Sequence, residues 1–537
     1  MQDFGSFDYV VVGAGTAGCV LANRLSEDPN ITVLLLEAGG KDNYIWIHVP
    51  VGYLYCMGNP RTDWGFKTEA EPGLGGRSLN YPRGKVLGGC SSINGMIYIR
   101  GQARDYDGWR QQGNTGWGWD DVLPYFKKSE DYYAGPDEMH GTGGEWRVEQ
   151  QRLRWDILDA FRDACVAEGI PATDDFNRGT NEGVGYFRVN QRAGWRWNTS
   201  KAFLRPAKNR ANLTVLTGAQ AEKVIIADHK ATGVTFRQNG NPSKAAASAE
   251  VLLASGAIGS PHLLMLSGIG DGDELQQHGV KVAHHLPGVG KNLQDHLQIR
   301  CAYKVDGVKT LNKRANSRWG KAMIGLEYAL KRTGPMSMAP SQLGAFAKSD
   351  PALETPNLEY HVQPLSLGKF GEPLHPFDAF TASVCNLRPD SRGTVTLKSP
   401  APTAAPAIAP NYLSTTSDQA VAAASIRLTR RIISREPVAR YMATEFMPGP
   451  EYQSDEDLVV AAGQVGTTIF HPVGTAKMGN DPMAVVNDRL CVHGVTGLRV
   501  VDASIMPAIT SGNTNSPVVM IAEKAAAMIL TDRRDAS

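Results

Sequence analysis

The first regular pattern along the chain is an apolar, β-branched run from Tyr9 to Val12. It passes through the glycine-rich turn GAGTAG into residues with helical apolar spacing, and a second β run follows from Thr32 to Leu36. Strand, turn, helix and strand within about 30 residues is the layout of a parallel βαβ unit. From Asn43 to Pro82 the chain is rich in glycine, proline and aromatic residues, which predicts ordered covering loops with little regular structure. Helical spacing recurs over Trp119–Asp131 and Asp156–Ala167, whereas Leu213–Phe236 and Ala249–Leu253 read as strands returning to the first sheet. The Ala/Ser cluster at Lys244–Ala249 predicts a surface turn between them. From about Cys301 to Pro410, runs such as NLEYHVQPL and RGTVTLKS alternate as antiparallel strands do. The chain closes with a strand at Leu498–Val501, a loop, and a helix starting near Pro517, where a missing N–H costs nothing.

Composition narrows the partners more than the fold. At 537 residues, with 42% hydrophobic and 20% charged positions, the chain is ordinary globular material and too long for one simple core, so two domains are expected. A net charge of +1 supplies no basic surface for nucleic acid or an acidic membrane. The opening MQDFGSFDYV lacks a basic n-region, and no run of about 18 apolar residues suggests a membrane span, so a cytoplasmic protein, monomer or homodimer, is expected. Seven dispersed cysteines without CxxC spacing fit reduced thiols better than a disulfide or metal framework.

Gly13, Gly15 and Gly18 follow a strand and open a helix. In that context Gly13 permits the tight turn, Gly15 lets backbone approach a pyrophosphate, Gly18 lets helix pack on strand, and Thr16 and Ala17 fall at the helix N-terminus where phosphate is favoured. Glu37, at the end of the second strand and followed by Ala38, is placed to accept ribose hydroxyls and to repel a 2′-phosphate. This motif alone does not separate FAD from NAD. No second phosphate loop is present, since neither GIGDGD nor GVGKNL has the required strand, third glycine and acidic residue, so one dinucleotide without a nicotinamide partner is the simpler reading. A second glycine cluster, YPRGKVLGGCSSINGMIYIRG, interleaves Gly84, Gly89 and Gly95 with Ser91 and Asn94, as suits backbone laid against a flat ligand.

Four blocks, PRGKVLGGCSSINGM, GAIGSPHLLMLSGIG, LPGVGKNLQDH and FHPVGTAKMG, resemble the signature segments of the glucose–methanol–choline (GMC) oxidoreductases, and the similarity runs from Tyr9 to about Leu530. Their wording is nearest to bacterial choline, alkanol and polyethylene-glycol dehydrogenases and to furfuryl and aryl alcohol oxidases. The resemblance implies an α/β chain with a Rossmann-like FAD domain (1–155, 200–300 and 480–537) and a substrate domain on a mostly antiparallel sheet with helices (156–199 and 301–479). It implies FAD as cofactor and alcohol oxidation by hydride transfer to flavin N5. Trp64, Arg83, Val86, Met96 and Ile97 join the expected cofactor shell, as do Ala221 at the adenine, Asp502 and Ala503 at the ribityl or phosphate region, and Asn513 and Thr514. Some members tether flavin through a histidine where this chain has Ile93, which has no nucleophile, so non-covalent FAD is expected.

A lone histidine such as His471 in TTIFHPVGTAKMGN is most often a satisfied core residue. The resemblance instead implies that His471 is the base, a task a neutral imidazole suits. Asn515 is the implied partner for the substrate oxygen; its alternative is a helix cap, with Asn513 or Thr514 then nearer the flavin. The low charge around His471 implies that no carboxylate holds it protonated. Phe470, Tyr53, and His361 with Gln363 on one strand face are candidate substrate contacts, and their aromatic content points to apolar or aryl alcohols. The acceptor is open between oxygen and a quinone or dye. Non-redox uses of the fold, hydroxynitrile cleavage or fatty-acid photodecarboxylation, are the alternative; a serine hydrolase is disfavoured because no GxSxG elbow occurs.

Overall fold

The computed structural model describes residues 1–368 and 372–536. Strand β1 (Gln2–Val12), helix α1 (Thr16–Leu25) and strand β2 (Val33–Glu37) form the expected unit, with β1 and β2 parallel in the register Tyr9↔Val33 to Val12↔Leu36. All five residues of β2 are buried, as a strand covered on both faces requires. The sheet continues through β3 (Leu213–Thr217), β4 (Ala219–Ala227), β5 (Lys230–Gln238) and β6 (Asn241–Leu253), in the order β3-β2-β1-β6-β5-β4. β3, β2, β1 and β6 run parallel; β5 pairs antiparallel with the first half of β6, and β4 pairs antiparallel with β5 at the sheet edge. The second half of β6 pairs with the short strand Leu498–Val500.

Lys244–Ala249, predicted as a surface turn, is instead part of β6. Its small residues alternate between buried (Ser243, Ala245, Ala247) and exposed (Lys244, Ala246, Ser248), and ladders on both sides hold it, from Gln2 in β1 and Gly233 in β5 onwards. Alanine's low strand preference yields here to cross-strand pairing that local composition does not display. The same pairing explains why β1 begins at Gln2 rather than at Tyr9.

The second sheet is antiparallel. Its centre is β7 (Leu297–Lys304), β8 (Leu343–Ala347), β9 (Leu358–Gln363) and β10 (Ala379–Asn386), in the order β7-β10-β9-β8, with Gly183–Tyr186 and Thr444–Met447 at the edges. One face of this sheet, including Ile299, Cys301, Tyr360, Val362, Ala382 and Val384, belongs to a hydrophobic core of its own, separate from the core around β1 and β2. A two-residue strand, β11 (Thr467–Thr468), pairs with the start of β7, and α2 (Asn515–Ala536) packs against α1. Two folding cores joined by these crossings account for the size of the chain.

Glycine is required where the first unit closes. A Cβ on Gly18 would lie 1.8 Å from the Gly13 carbonyl oxygen, whereas one on Gly108, in the helix Ala103–Gln111, would meet nothing within 4 Å. Gly18→Ala is expected to destabilise by about 1–3 kcal/mol through overpacking, and Gly108→Ala to be neutral or slightly stabilising, by up to about 1 kcal/mol. Thermal unfolding of the two variants, followed by circular dichroism, checks the contrast.

Candidate active site

One cavity of about 2260 Å³ runs between the nucleotide-type sheet and the second sheet. That is more than twice the volume of a site for one drug-sized ligand, so a dinucleotide and a substrate fit together. Its first part is glycine backbone. Gly13 has φ +103°, and a Cβ on Gly89 would reach the Gly15 Cα at 2.6 Å, so the two glycine clusters touch backbone to backbone. A Cβ on Gly15 would meet nothing closer than 3.8 Å, which leaves that turn open to the cavity. Glu37 accepts the Ala14 N–H (3.0 Å) and the Gly39 N–H (2.8 Å), and burial pushes its carboxyl up to about 7. With two oxygens and about four acceptor positions, it keeps capacity for ribose hydroxyls.

The N-termini of α1 and α2 meet at this cavity, where the Thr16 hydroxyl donates to Asn515 Oδ1 at 2.7 Å. Neither helix carries an acidic residue in its first turn, so both positive ends are available to anionic groups. These features fit FAD: an open glycine turn for pyrophosphate, a carboxylate for ribose, and a second helix terminus for negative charge on a reduced flavin ring.

Most of the expected cofactor shell lines the cavity: Gly13, Gly15, Thr16 and Ala17; Glu37, Ala38, Trp64 and Arg83; Gly84, Gly89 and Asn94; Gly95, Met96 and Ile97; and Ala221, Asp502, Ala503, Asn513 and Thr514. Gly18, Val86 and Ser91 do not. Gly18 faces the Gly13 carbonyl, Val86 is buried in a small core with Ile47, Cys56 and Ile93, and the Ser91 hydroxyl donates to the Gly88 carbonyl (2.6 Å). The Asp502 carboxylate is saturated by the Gly256 N–H, the Ser260 hydroxyl, and the N–H and hydroxyl of Ser504, so it braces the loop and leaves main chain at the cavity wall.

His471 stands where the two parts of the cavity join. Its Nε2 lies 3.1 Å from Asn513 Nδ2, and its Nδ1 lies 3.1 Å from Nδ1 of His296. The partner on Nε2 is therefore Asn513 and not Asn515, which opens α2 and is engaged by Thr16. A two-residue offset at a helix start turns the side chain to a different side, an offset that motif spacing does not resolve.

The hydrogen bonds select the tautomers. His296 Nε2 lies 3.1 Å from the Leu387 carbonyl, which only accepts, so that nitrogen carries hydrogen. In a neutral His296 the Nδ1 then accepts, His471 Nδ1 donates to it, and His471 Nε2 is left unprotonated, its lone pair accepting from the Asn513 amide. Burial, reinforced by His296, His361 and Arg83, pushes the His471 imidazole well below its ordinary value; burial also lowers that of His296, against the opposing pull of Glu359 and Asp295. Both rings are thus held neutral.

The loop carrying His471 hangs on Asp295, which sequence reasoning did not select. Its Oδ1 accepts the N–H groups of His471 (2.8 Å) and His296 (2.9 Å), and its Oδ2 accepts the hydroxyls of Tyr81 (2.8 Å), Tyr412 (2.5 Å) and Thr468 (2.6 Å). A carboxylate does lie near His471, but it binds backbone N–H and not the ring, in keeping with the expectation that none holds the imidazole protonated. Phe470 takes a left-handed backbone (φ +71°), held by its N–H to Thr468 Oγ1 (2.7 Å) and by Arg83, which donates to its carbonyl at 2.8 Å. Such strain persists only where neighbours over-determine it.

Tyr53, Phe470, His361 and Gln363 all line the cavity, yet the floor they share is polar rather than aromatic. The cavity-facing positions of β7, β9 and β10 are Gln298 and Arg300, His361 and Gln363, and Ser383. The aromatics Tyr53, Tyr55 and Trp64 of the covering loop line the cavity too, and His361 and Gln363 share their strand face with Gln298, Arg300 and Ser383, which were not selected because strand alternation alone does not say which face meets a cavity.

Models of the GMC oxidoreductase family match residues 7–298 and 389–522. The chain belongs to the GMC oxidoreductases. It is 42% identical to an alcohol dehydrogenase [acceptor] of Pseudomonas putida, over 98% of this chain and 96% of that protein, and 41% identical to the mitochondrial choline dehydrogenase of Homo sapiens, over 97% and 89%. Among solved structures it resembles pyridoxine 4-oxidase from "Mesorbium loti" (TM-score 0.88, 31% identity, 97% and 98% covered) and formate oxidase from Aspergillus oryzae (TM-score 0.91, 28% identity, 100% of both chains). As a GMC oxidoreductase it has the family's Rossmann-like FAD-binding fold. No helix among the described residues is long and apolar enough to cross a membrane.

The electrostatics of His471 give a pH prediction. A neutral imidazole can accept a proton and an imidazolium cannot, so a lowered pKa keeps His471 able to accept one on acidification. In holoenzyme, the acid limb of kcat/KM is expected below pH 6.5, the ordinary imidazole value. A limb at or above that value contradicts the burial argument.

Proposed function

We propose that this FAD-dependent GMC oxidoreductase, which acts on CH–OH donors, oxidises an alcohol to the aldehyde or ketone with His471 as the base, and that it holds its FAD without a covalent tether. The observation that carries this reading is the unprotonated Nε2 of His471 beside the Asn513 amide, at the point where the glycine-lined and polar-floored parts of one cavity meet. FAD, when bound, supplies the acceptor for the hydride.

The substrate hydroxyl displaces the Asn513 N–H from His471 Nε2 and donates to that lone pair, and the Asn513 amide donates to the hydroxyl oxygen instead. The O–H bond breaks towards the imidazole as the carbon–hydrogen bond gives up its electron pair, leaving C=O. His296 receives a stronger hydrogen bond from Nδ1 as charge develops on His471, and its own hydrogen bond to the Leu387 carbonyl fixes its orientation. Asn513 Oδ1 is buried without a protein partner, which favours a ligand group at that point. The non-covalent reading rests on Ile93, whose side chain is buried with Ile47, Cys56 and Val86 and has no nucleophilic atom. Electrons pass on to oxygen or to a quinone-type carrier.

His471→Ala is expected to lower the rate of anaerobic flavin reduction by an alcohol about 10²- to 10⁴-fold, with FAD content unchanged. An unaltered rate removes His471 from the base role. Acid denaturation followed by centrifugation is expected to leave all flavin absorbance in the supernatant; flavin in the pellet contradicts non-covalent binding.

A further inference from the structure

The floor of the cavity carries a cation that the proton and hydride transfers do not use. On β7, Leu297, Ile299 and Cys301 face the hydrophobic core, so Gln298 and Arg300 face the cavity. In register, Arg300 pairs with Ser383 of β10, and Ser383 pairs with His361 of β9, so three polar side chains stand in one row across adjacent strands. Arg300 donates to the carbonyls of Gly368 (2.9 Å) and Leu367 (3.0 Å), which also line the cavity. A guanidinium has five N–H donors, so three remain. Among the described residues no carboxylate lies within ion-pair distance of Arg300; Glu372, also at the cavity, acts on it only from farther away. A largely buried arginine without a paired carboxylate is costly unless something else meets its fork.

We propose that Arg300 is a specificity-determining residue and that the substrate is an alcohol carrying a carboxylate at its far end. This rests on the alcohol-oxidation reading above. The reacting end of the cavity is at His471, which the buried His296 backs, and Arg300 lies four residues along the chain from His296, about 13 Å at the rise of a β-strand. That spacing leaves room for a chain of several bonds or one ring between hydroxyl and carboxylate. The fork binds the two oxygens, Ser383 and Gln298 offer further hydrogen bonds, and the hydroxyl meets His471 Nε2. A quaternary ammonium at the same place faces like charge, with the Arg300 guanidinium on the floor beside it.

The test uses holoenzyme and three isosteric benzylic alcohols: 4-(hydroxymethyl)benzoate, its methyl ester, and the 4-trimethylammonium analogue, each followed by anaerobic flavin reduction. The carboxylate is expected to have the highest kcat/KM, about tenfold or more above the ester, the size of one charge-assisted hydrogen-bond pair, and the cation the lowest. Arg300→Gln is expected to remove that advantage by lowering kcat/KM for the carboxylate about tenfold or more and for the ester by much less, with Arg300→Lys restoring part of it. Equal loss on all three substrates marks Arg300 as a brace for the Leu367–Gly368 loop and overturns the proposal. So does a wild-type preference for the ester or the cation, while the oxidation reading stands. Failure of every alcohol to reduce the flavin overturns both.

Discussion

A single buried carboxylate, Asp295, holds the reacting end of this molecule together. It receives two backbone N–H groups and three side-chain hydroxyls, drawn from Tyr81 after the covering loop, Tyr412 in the second core, Thr468 in β11 and the two histidine positions themselves. Burial, then the carboxylate itself, pushes the Tyr81 and Tyr412 phenols well above their ordinary values, so both remain donors. An ionised group inside a protein is tolerable only when its lone pairs are filled. Here the filling also does positional work, because satisfying Asp295 brings His296 and His471 within hydrogen-bonding distance of each other.

That arrangement separates charge from chemistry. The carboxylate touches the backbone of His471 and leaves its ring to a second imidazole, whose far nitrogen is committed to a carbonyl. A carboxylate on the ring would favour the imidazolium and spoil the base; a neutral histidine instead passes on a tautomer. The strained backbone of Phe470 and the Arg83 contact to its carbonyl belong to the same construction, since they set the direction in which the next residue leaves the loop. The nucleotide end follows a different logic: glycine backbone, two helix termini and one carboxylate, with few side chains committed.

The two ends were unequally legible in sequence. GAGTAG, Glu37 and the first parallel unit could be read directly because phosphate binding uses consecutive residues and a fixed strand–turn–helix order. His471 was identifiable through its block, but its partner was displaced from Asn515 to Asn513, since a helix start two residues earlier or later looks the same in composition. Asp295 and His296 sat in view in LPGVGKNLQDH without attracting a role, because, apart from the His296 N–H on its neighbour Asp295, their partners lie more than 80 residues away along the chain. Lys244–Ala249 was misread for a related reason: its strand character comes from ladders to β1 and β5, and alanine and serine alone announce a turn. The polar floor of Gln298, Arg300 and Ser383 depends on which sheet face meets the cavity, information that period-two patterning carries only up to a choice of two.

Proton transfer at this site therefore turns on the protonation pattern of one ring. Selective ¹⁵N-histidine labelling of the holoenzyme, with His471 assigned by its loss in His471→Gln, reads that pattern from the two ring-nitrogen shifts at neutral pH. The structure predicts a neutral ring protonated on Nδ1 with Nε2 unprotonated. A ring protonated on Nε2, or on both nitrogens, contradicts it.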